Sequence, residues 1–118
     1  MTHPLRIHLK GIIYRVDAWG NERKAIFRQD QDRLYFLGLL GQSVEGFAWL
    51  LHDYVVLDNH YHLLVETPRG NLTRGMQWLH VCFSIGFNRP HQRVGHLLQG
   101  RFKAMLVPIF RAGLRPRV

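Results

Sequence analysis

The sequence has one cysteine, no long apolar run and no acidic residue after Glu66. With Cys82 alone, the chain can form neither an internal disulfide framework nor a cysteine-based zinc site. No apolar run approaches the roughly 18 residues of a membrane-spanning helix, and the N-terminal residues lack the apolar centre of a signal peptide. We therefore expect a soluble, cytoplasmic protein with no membrane partner. Its 118 residues are enough for one domain and too few for two.

Charge is distributed unevenly along the chain. Residues 1–66 hold seven Arg or Lys and all eight Asp or Glu, whereas residues 67–118 hold nine Arg or Lys and no acid. The formal net charge of +8 at pH 7 is therefore concentrated in the second half. This asymmetry favours a polyanionic partner, most often nucleic acid, because cationic side chains gain from phosphate contacts and counterion release. A solvated basic surface without such a partner is the alternative.

Apolar periodicity predicts four strands and two helices. The strands are expected at residues 10–17, 47–57, 60–67 and 101–107, and the helices at residues 30–46 and 72–88. Residues 58–59 are a turn signal, residues 90–100 have no sustained period, and Asp30 and Asn71 are the N-cap candidates. The predicted apolar stripes are Leu34, Leu37, Leu40 and Val44 on the first helix, and Leu72, Met76, Leu79, Phe83 and Phe87 on the second. The order β-α-β-β-α-β predicts a ferredoxin-like α+β fold, an antiparallel sheet with both helices on one face.

Two histidines occupy alternate positions of the third predicted strand. His60 and His62 would share one face of the sheet at a separation of about 7 Å, so both imidazoles could reach one metal ion. Tyr61, Leu63 and Val65 would project to the other face and pack in the core. Neutral imidazoles bind divalent metals and leave positions open for a phosphate oxygen. A pair of surface or hydrogen-bonded histidines is the alternative.

Two long motifs and several short ones occur between residues 4 and 107. The long ones read N-H-Y-H-L-L-V-E-T-P at 59–68 and G-H-L-L-Q-G-R-F-K-A at 95–104, and the short ones lie at 4–7, 20–21, 32–33, 36–37, 70–72 and 87–89. In this order they resemble the single-tyrosine HUH transposases, especially the REP-associated tyrosine transposases. One departure is Trp19, which stands where relatives usually have Arg before Gly-Asn.

The resemblance implies a ferredoxin-like domain at residues 1–107 in which His60 and His62 bind Mg²⁺ or Mn²⁺. It implies single-stranded or hairpin DNA as the partner, with a tyrosine that attacks a phosphodiester to leave a 5′-phosphotyrosine and a free 3′-hydroxyl. The candidates for contacts with DNA phosphates are Arg89, Arg93, Arg101 and Lys103. A solvated basic face remains the alternative for these four side chains.

The resemblance ends after Val107. In the family, a motif like Y-I-H-L-N-P-V-R-A-G-L follows the fourth strand and carries the nucleophile and an asparagine that resembles a third metal ligand. Here Pro108 follows at once, only residues 111–114 resemble the end of that motif, and no tyrosine occurs after Tyr61. We therefore expect residues 108–118 to be a truncated or frameshifted tail, and the chain to bind DNA without cleaving it.

Two other hypotheses remain open. A second chain could supply the tyrosine, or the protein could be a ferredoxin-like RNA-binding or interaction module without metal chemistry. The second is less favoured because strand four presents Arg101, Lys103 and Met105 rather than aromatic side chains. Without the helix that covers the histidine face in relatives, Leu64 and Met105 would be exposed, so we expect self-association, such as a homodimer, or marginal stability. His80, His91 and His96 are expected to be structural or to contact phosphate.

Overall fold

The computed structural model describes residues 11–91, 96–100 and 102–107. Its elements are β1 (Ile12–Trp19), α1 (Asp30–Gly46), β2 (Leu50–Leu57), β3 (His60–Thr67), α2 (Leu72–Asn88) and β4 (Lys103–Leu106), with one turn of 3-10 helix at Asn21–Arg23. The four strands form one antiparallel sheet in the order β2-β3-β1-β4. The predicted ferredoxin-like α+β fold is confirmed. The predicted tail at 108–118 lies outside the described residues.

The core lies between one face of the sheet and the two helices. Along β3, the side chains of Tyr61, Leu63 and Val65 are fully buried, while those of His60 and His62 on the opposite face are half-buried. This alternation confirms the predicted assignment of side chains to the two faces. It also places both histidines on the sheet face away from the helices.

Helix α2 buries the stripe that the sequence predicts. Leu72, Met76, Leu79, Phe83 and Phe87 are all buried. Asn71 precedes the helix as expected, but its side chain does not cap it.

The Asn71 amide instead connects the helix to the chain before β2. Its Oδ1 accepts a hydrogen bond from Trp49 Nε1 at 2.9 Å, and its Nδ2 donates to the Phe47 carbonyl at 2.9 Å. Both contacts are remote in sequence, which is why a local capping rule misses them.

The predicted stripe on α1 is wrong at Leu34, while Leu40 is buried and Leu37 and Val44 are half-buried against the core. Leu34 is 69% exposed, whereas the helix buries Phe36, Leu39 and Leu40. Leu34 lies two residues before Phe36, which is about 200° around the helix, so these two side chains cannot share a face. The cap position is also corrected, because Gln29 rather than Asp30 precedes the helix and forms a capping box with Asp32.

Three of the strands, β1, β2 and β4, have boundaries that differ from the prediction. Strand β2 begins at Leu50 rather than at 47, because Phe47 N donates to the Ser43 carbonyl and Ala48 has a φ of 58°, which ends α1 in a tight turn. Strand β4 begins at Lys103. Strand β1 continues to Trp19, two residues further than predicted.

The face of the sheet opposite the helices carries exposed apolar side chains. Val55, Leu57 and Met105 are between 42% and 54% exposed. Exposure of Met105 was predicted, and self-association through this face stays a prediction. Within the described residues, no helix combines the length and the hydropathy that crossing a membrane requires.

Gly75 on α2 offers a test of the packing between this helix and Trp49. A Cβ at Gly75 would lie 2.1 Å from the buried Trp49 ring, whereas a Cβ at Gly41 on α1 would meet no atom within 4 Å. We expect Gly75→Ala to lower the free energy of unfolding by about 1–3 kcal/mol through overpacking. The matched control Gly41→Ala should raise it by about 0.5–1 kcal/mol, since alanine is the better helix former. Urea denaturation measures both, and equal effects of the two substitutions would contradict this packing.

Candidate functional site

The histidine pair lies where strands β1 and β3 run side by side. The antiparallel register places Trp19 opposite His60 and Asp17 opposite His62. The two imidazole centroids are 4.8 Å apart and the ring planes are inclined by 80°. The structure therefore brings the two predicted metal ligands together, with two β1 side chains beside them.

Both histidines are held by acceptors at the same ring atom. His62 Nδ1 lies 2.5 Å from Asp17 Oδ1, and His60 Nδ1 lies 2.9 Å from Asn59 Oδ1. Asn59 Nδ2 donates to the Arg23 carbonyl at 3.0 Å, which fixes the orientation of the amide. Because a carboxylate and an amide oxygen only accept, each Nδ1 carries a hydrogen, which in the neutral imidazole leaves the lone pair on Nε2. Metal-binding histidines are oriented in this way.

The electrostatic surroundings of His60 favour its neutral form. Burial lowers the pKa of His60 below its usual value of 6.5, and the positive charges of His62 and Arg23 lower it further, against the opposing effect of Asp17. A neutral imidazole is the form that binds a metal ion. At neutral pH His60 is thus in the state that a metal ligand requires.

Trp19 separates His60 from Arg23. The Trp19 and His60 rings are stacked with centroids 3.8 Å apart and planes 15° from parallel. The Arg23 guanidinium carbon lies 4.1 Å from the Trp19 centroid. The His60 ring and the Arg23 guanidinium would collide if both lay on the same face of the indole. They therefore occupy opposite faces.

The loop after β1 depends on Gly20. A Cβ at this position would lie 2.0 Å from the Lys24 carbonyl oxygen. Glu22 and Arg23 both adopt positive φ, at 56° and 60°, which is uncommon for residues other than glycine. Gly20 N donates to the Asn59 carbonyl at 2.8 Å, so this strained loop is fastened to the β2–β3 turn. Asn59 thus connects the loop with the orientation of His60.

Part of the segment predicted as a loop pairs with the end of β1. Asn21 N donates to the Leu97 carbonyl and Gln99 N donates to the Trp19 carbonyl, both at 2.8 Å. A groove of about 230 Å³ results, and it lies beside the histidine pair. Its lining residues are Asp17, Ala18, Trp19, Arg23, Gln99, Gly100 and Lys103.

Of the two predicted phosphate contacts that the structure describes, Lys103 lies at this groove and Arg89 does not. Lys103 is exposed and lies opposite Asp17 in the register of β4 with β1. Arg89 lies instead at the C-terminal end of α2. Arg93 and Arg101 lie outside the described residues. Sequence analysis missed Arg23, although the neighbouring Gly20-Asn21 turn was among the motifs that carried the resemblance.

The described residues offer two imidazoles as protein ligands for a metal. Among the residues at 11–91, 96–100 and 102–107, no three His, Cys, Asp or Glu side chains converge to hold an ion. Asp17 is the neighbouring carboxylate, and His62 Nδ1 and Arg15 Nε, at 2.5 and 3.3 Å, both engage its Oδ1. Asp17 therefore orients the His62 imidazole and does not act as a third metal ligand.

All four tyrosines of the chain are described, and none lies on the histidine face of the sheet. Tyr61 is fully buried, its hydroxyl hydrogen-bonds His80 Nε2, and burial raises the pKa of Tyr61 well above 10. Tyr14 is buried on the helix face, and Tyr35 on α1 donates to the Cys82 carbonyl at 3.2 Å. Tyr54 pairs with Leu63, whose side chain also faces the helices. The expectation that Tyr61 points away from the histidines is confirmed.

The remaining histidines of the described core make structural contacts. His91 Nε2 lies 2.9 Å from Asp32 Oδ1 and so joins the end of α2 to the start of α1. His52 Nε2 lies 3.1 Å from Glu66 Oε1. These pairs hold neighbouring elements together.

Comparison with solved structures finds the same fold in two transposase structures. A REP-associated tyrosine transposase bound to a REP hairpin superposes with a TM-score of 0.71 at 15% identity, covering 97% of this chain and 68% of that one. A protein of Deinococcus radiodurans R1 assigned as a transposase gives a TM-score of 0.68 at 15% identity, covering 96% of this chain and 90% of that one. Likeness at this identity shows a transposase-like fold. No protein-family model matches the chain, and no curated protein sequence does.

The Tyr61–His80 pair makes stability depend on pH. Burial lowers the pKa of His80 from 6.5 to about 4, so the unfolded chain takes up this proton before the folded chain does. As the pH falls from 6.5 to about 4, His80 should therefore remove about 3 kcal/mol from the free energy of unfolding. His80→Gln keeps an acceptor for the Tyr61 hydroxyl but cannot be protonated, so its pH dependence should be flatter.

Urea denaturation at several pH values between 4 and 7 measures this difference. His96→Gln, at an exposed histidine, is the control and should retain the wild-type pH dependence. Identical pH profiles for the wild type and His80→Gln would show that His80 is not held neutral in the core.

Proposed function

We propose that this chain is a transposase-like protein that binds single-stranded or hairpin DNA beside a divalent metal ion, Mg²⁺ or Mn²⁺, held by His60 and His62. The observation that carries the proposal is that both histidines donate from Nδ1, to Asp17 and to Asn59, on one face of the sheet. That arrangement leaves two Nε2 lone pairs for an ion. The shared fold supports it, since one of the solved structures is a REP-associated tyrosine transposase bound to a REP hairpin.

The donor set fits a divalent transition metal. Imidazole nitrogen binds Mn²⁺ more readily than Mg²⁺, which prefers oxygen ligands and retains its water. Mn²⁺ is therefore the better ion for a binding test. When bound, such an ion acts as a Lewis acid that polarises a phosphodiester.

The chain's own residues supply orientation and charge around the ion. Asp17 and Asn59 hold the imidazoles, while Arg23 and Lys103 place two cations along the adjoining groove. Cationic side chains beside a metal site attract a phosphate backbone and raise the local concentration of nucleic acid. The groove is thus suited to a nucleic acid strand.

Cleavage is not part of the function that we propose for this chain alone. Covalent cleavage by a transposase of this class needs a tyrosine hydroxyl beside the metal, and the four tyrosines all lie elsewhere. The proposed activity is therefore DNA binding without formation of a phosphotyrosine bond.

Metal binding tests the first part of the proposal. His60→Ala and His62→Ala should each abolish tight Mn²⁺ binding, because each removes one of two protein ligands. Asp17→Ala should weaken it about 10–100-fold, since it removes the acceptor that orients His62. The loss of the free-ion signal in electron paramagnetic resonance titrations measures affinity, with His96→Ala as the control. Unchanged affinity in both ligand variants would overturn the metal site.

DNA binding tests the second part. Anisotropy of a fluorescent DNA hairpin with a single-stranded flank should show an affinity that falls linearly with the logarithm of salt concentration. Lys103→Gln should make this slope shallower by about 0.7–0.9, the value of one phosphate contact. Arg74→Gln is the control, because Arg74 is exposed on α2, which packs against the other sheet face. Binding that is absent, or insensitive to salt, would count against the proposal.

A further inference from the structure

The indole of Trp19 forms part of the wall of the groove beside the histidines. Its inner face is covered by His60 at a centroid distance of 3.8 Å. Its outer face is covered by the guanidinium of Arg23, whose carbon lies 4.1 Å from the ring centroid. The outer face is therefore protected from water only by the end of a flexible side chain.

Arg23 can leave this position at low cost. The residue is exposed, and its hydrogen bonds in the described structure are made by its backbone: its N donates to the Gly20 carbonyl at 2.9 Å, and its carbonyl accepts from Asn59 Nδ2. A cation–π contact at an exposed site contributes about 0.5–1 kcal/mol. A base stacked on an aromatic side chain contributes about 1–3 kcal/mol. Exchange of the guanidinium for a base is thus favoured.

The platform on which such a base would stack is rigid. Trp19 is fixed on one side by the stacked His60 ring, and its backbone carbonyl accepts from Gln99 N at 2.8 Å. A rigid aromatic surface binds with little loss of side-chain entropy. The groove of about 230 Å³ in front of it corresponds to about eight water molecules at liquid density, which leaves room for a planar heterocycle.

The charges around the groove also suit a nucleotide. Lys103 lines it together with Arg23, whereas the carboxylate of Asp17 is engaged by His62 and Arg15. A displaced Arg23 side chain would remain close enough to meet the phosphate attached to the base. Stacking and two cations in one groove are the combination by which proteins hold single strands without reading their sequence.

We propose that Trp19 is a stacking platform for one base of a single-stranded DNA segment, and that Arg23 turns from the indole to a phosphate of that segment when the base binds. The inference rests on the proposed DNA-binding function and adds to it the residue that contacts a base. A purely structural role, in which Trp19 only supports His60, is the competing explanation.

The test compares normal and abasic single strands. Full-length protein is titrated, with a chelator present, into a fluorescent thymidine oligonucleotide and into one of equal length whose central bases are replaced by abasic sites. Wild type should bind the thymidine strand about 5–150-fold more tightly, the ratio that corresponds to about 1–3 kcal/mol. Trp19→Leu should lose most of this ratio, and Trp19→Phe should retain part of it, because phenylalanine still stacks.

Two further variants separate stacking from charge. Arg23→Gln should keep the ratio while its salt dependence becomes shallower by about 0.7, one phosphate contact on a single strand. Trp78→Leu, at a half-buried tryptophan on α2, is the control for loss of an indole and should behave like the wild type.

The outcomes distinguish this inference from the function on which it rests. Equal binding of both strands by the wild type, or an undiminished ratio in Trp19→Leu, would overturn the stacking role while DNA binding stands. If neither strand binds, the proposed function fails and the inference fails with it. If Trp19→Leu does not fold, Trp19→Phe and Arg23→Gln still decide, since a platform requires that both keep a measurable preference for bases.

Discussion

The antiparallel register between β1 and β3 is the constraint on which the site depends. It places Asp17 beside His62 and Trp19 beside His60. Because side chains alternate along a strand, a slip by one residue would move the histidines into the core and Tyr61 out of it. The buried Tyr61, Leu63 and Val65 make such a slip costly, so the packing that stabilises the fold also sets the geometry of the imidazoles.

One strand thereby provides two opposite environments for its polar side chains. On the helix face, Tyr61 is fully buried and His80 is half-buried, which favours the neutral form of both, and the two side chains hydrogen-bond each other. On the open face, His60 and His62 are held by the acceptors Asn59 and Asp17. The same alternation that gives the core its apolar surface leaves the two imidazoles on the open face and keeps the Tyr61 hydroxyl on the other side of the sheet.

The parts of this arrangement that follow short periods could be predicted from the sequence. The two-residue period of β3 gave the shared face of His60 and His62, and the helical period of α2 gave its buried stripe. Helix α1 was misjudged because Leu34 continues the helical spacing but lies on the solvent side, which only the tertiary contacts decide. Asp17 was not identified as a partner of His62, because this pairing depends on a register set by residues some 45 positions apart. The hydrogen bonds of Leu97 with Asn21 and of Gln99 with Trp19 join residues still further apart in sequence, and no local pattern indicates them.

Strand β4 has a consequence for how the groove responds to its contents. It pairs with β1 through four residues, and its side chains are mostly exposed, whereas β3 pairs with β1 along eight residues over a packed core. Protection against local opening follows the number of hydrogen bonds and the buried apolar area, so β4 should separate from the sheet at a much lower free energy than β3. The side of the groove that carries Lys103 can therefore move, while the spacing of His60 and His62 on β3 stays fixed. A groove wall that can move and an imidazole pair of fixed spacing thus belong to different strands of one sheet, the edge strand β4 and the central strand β3.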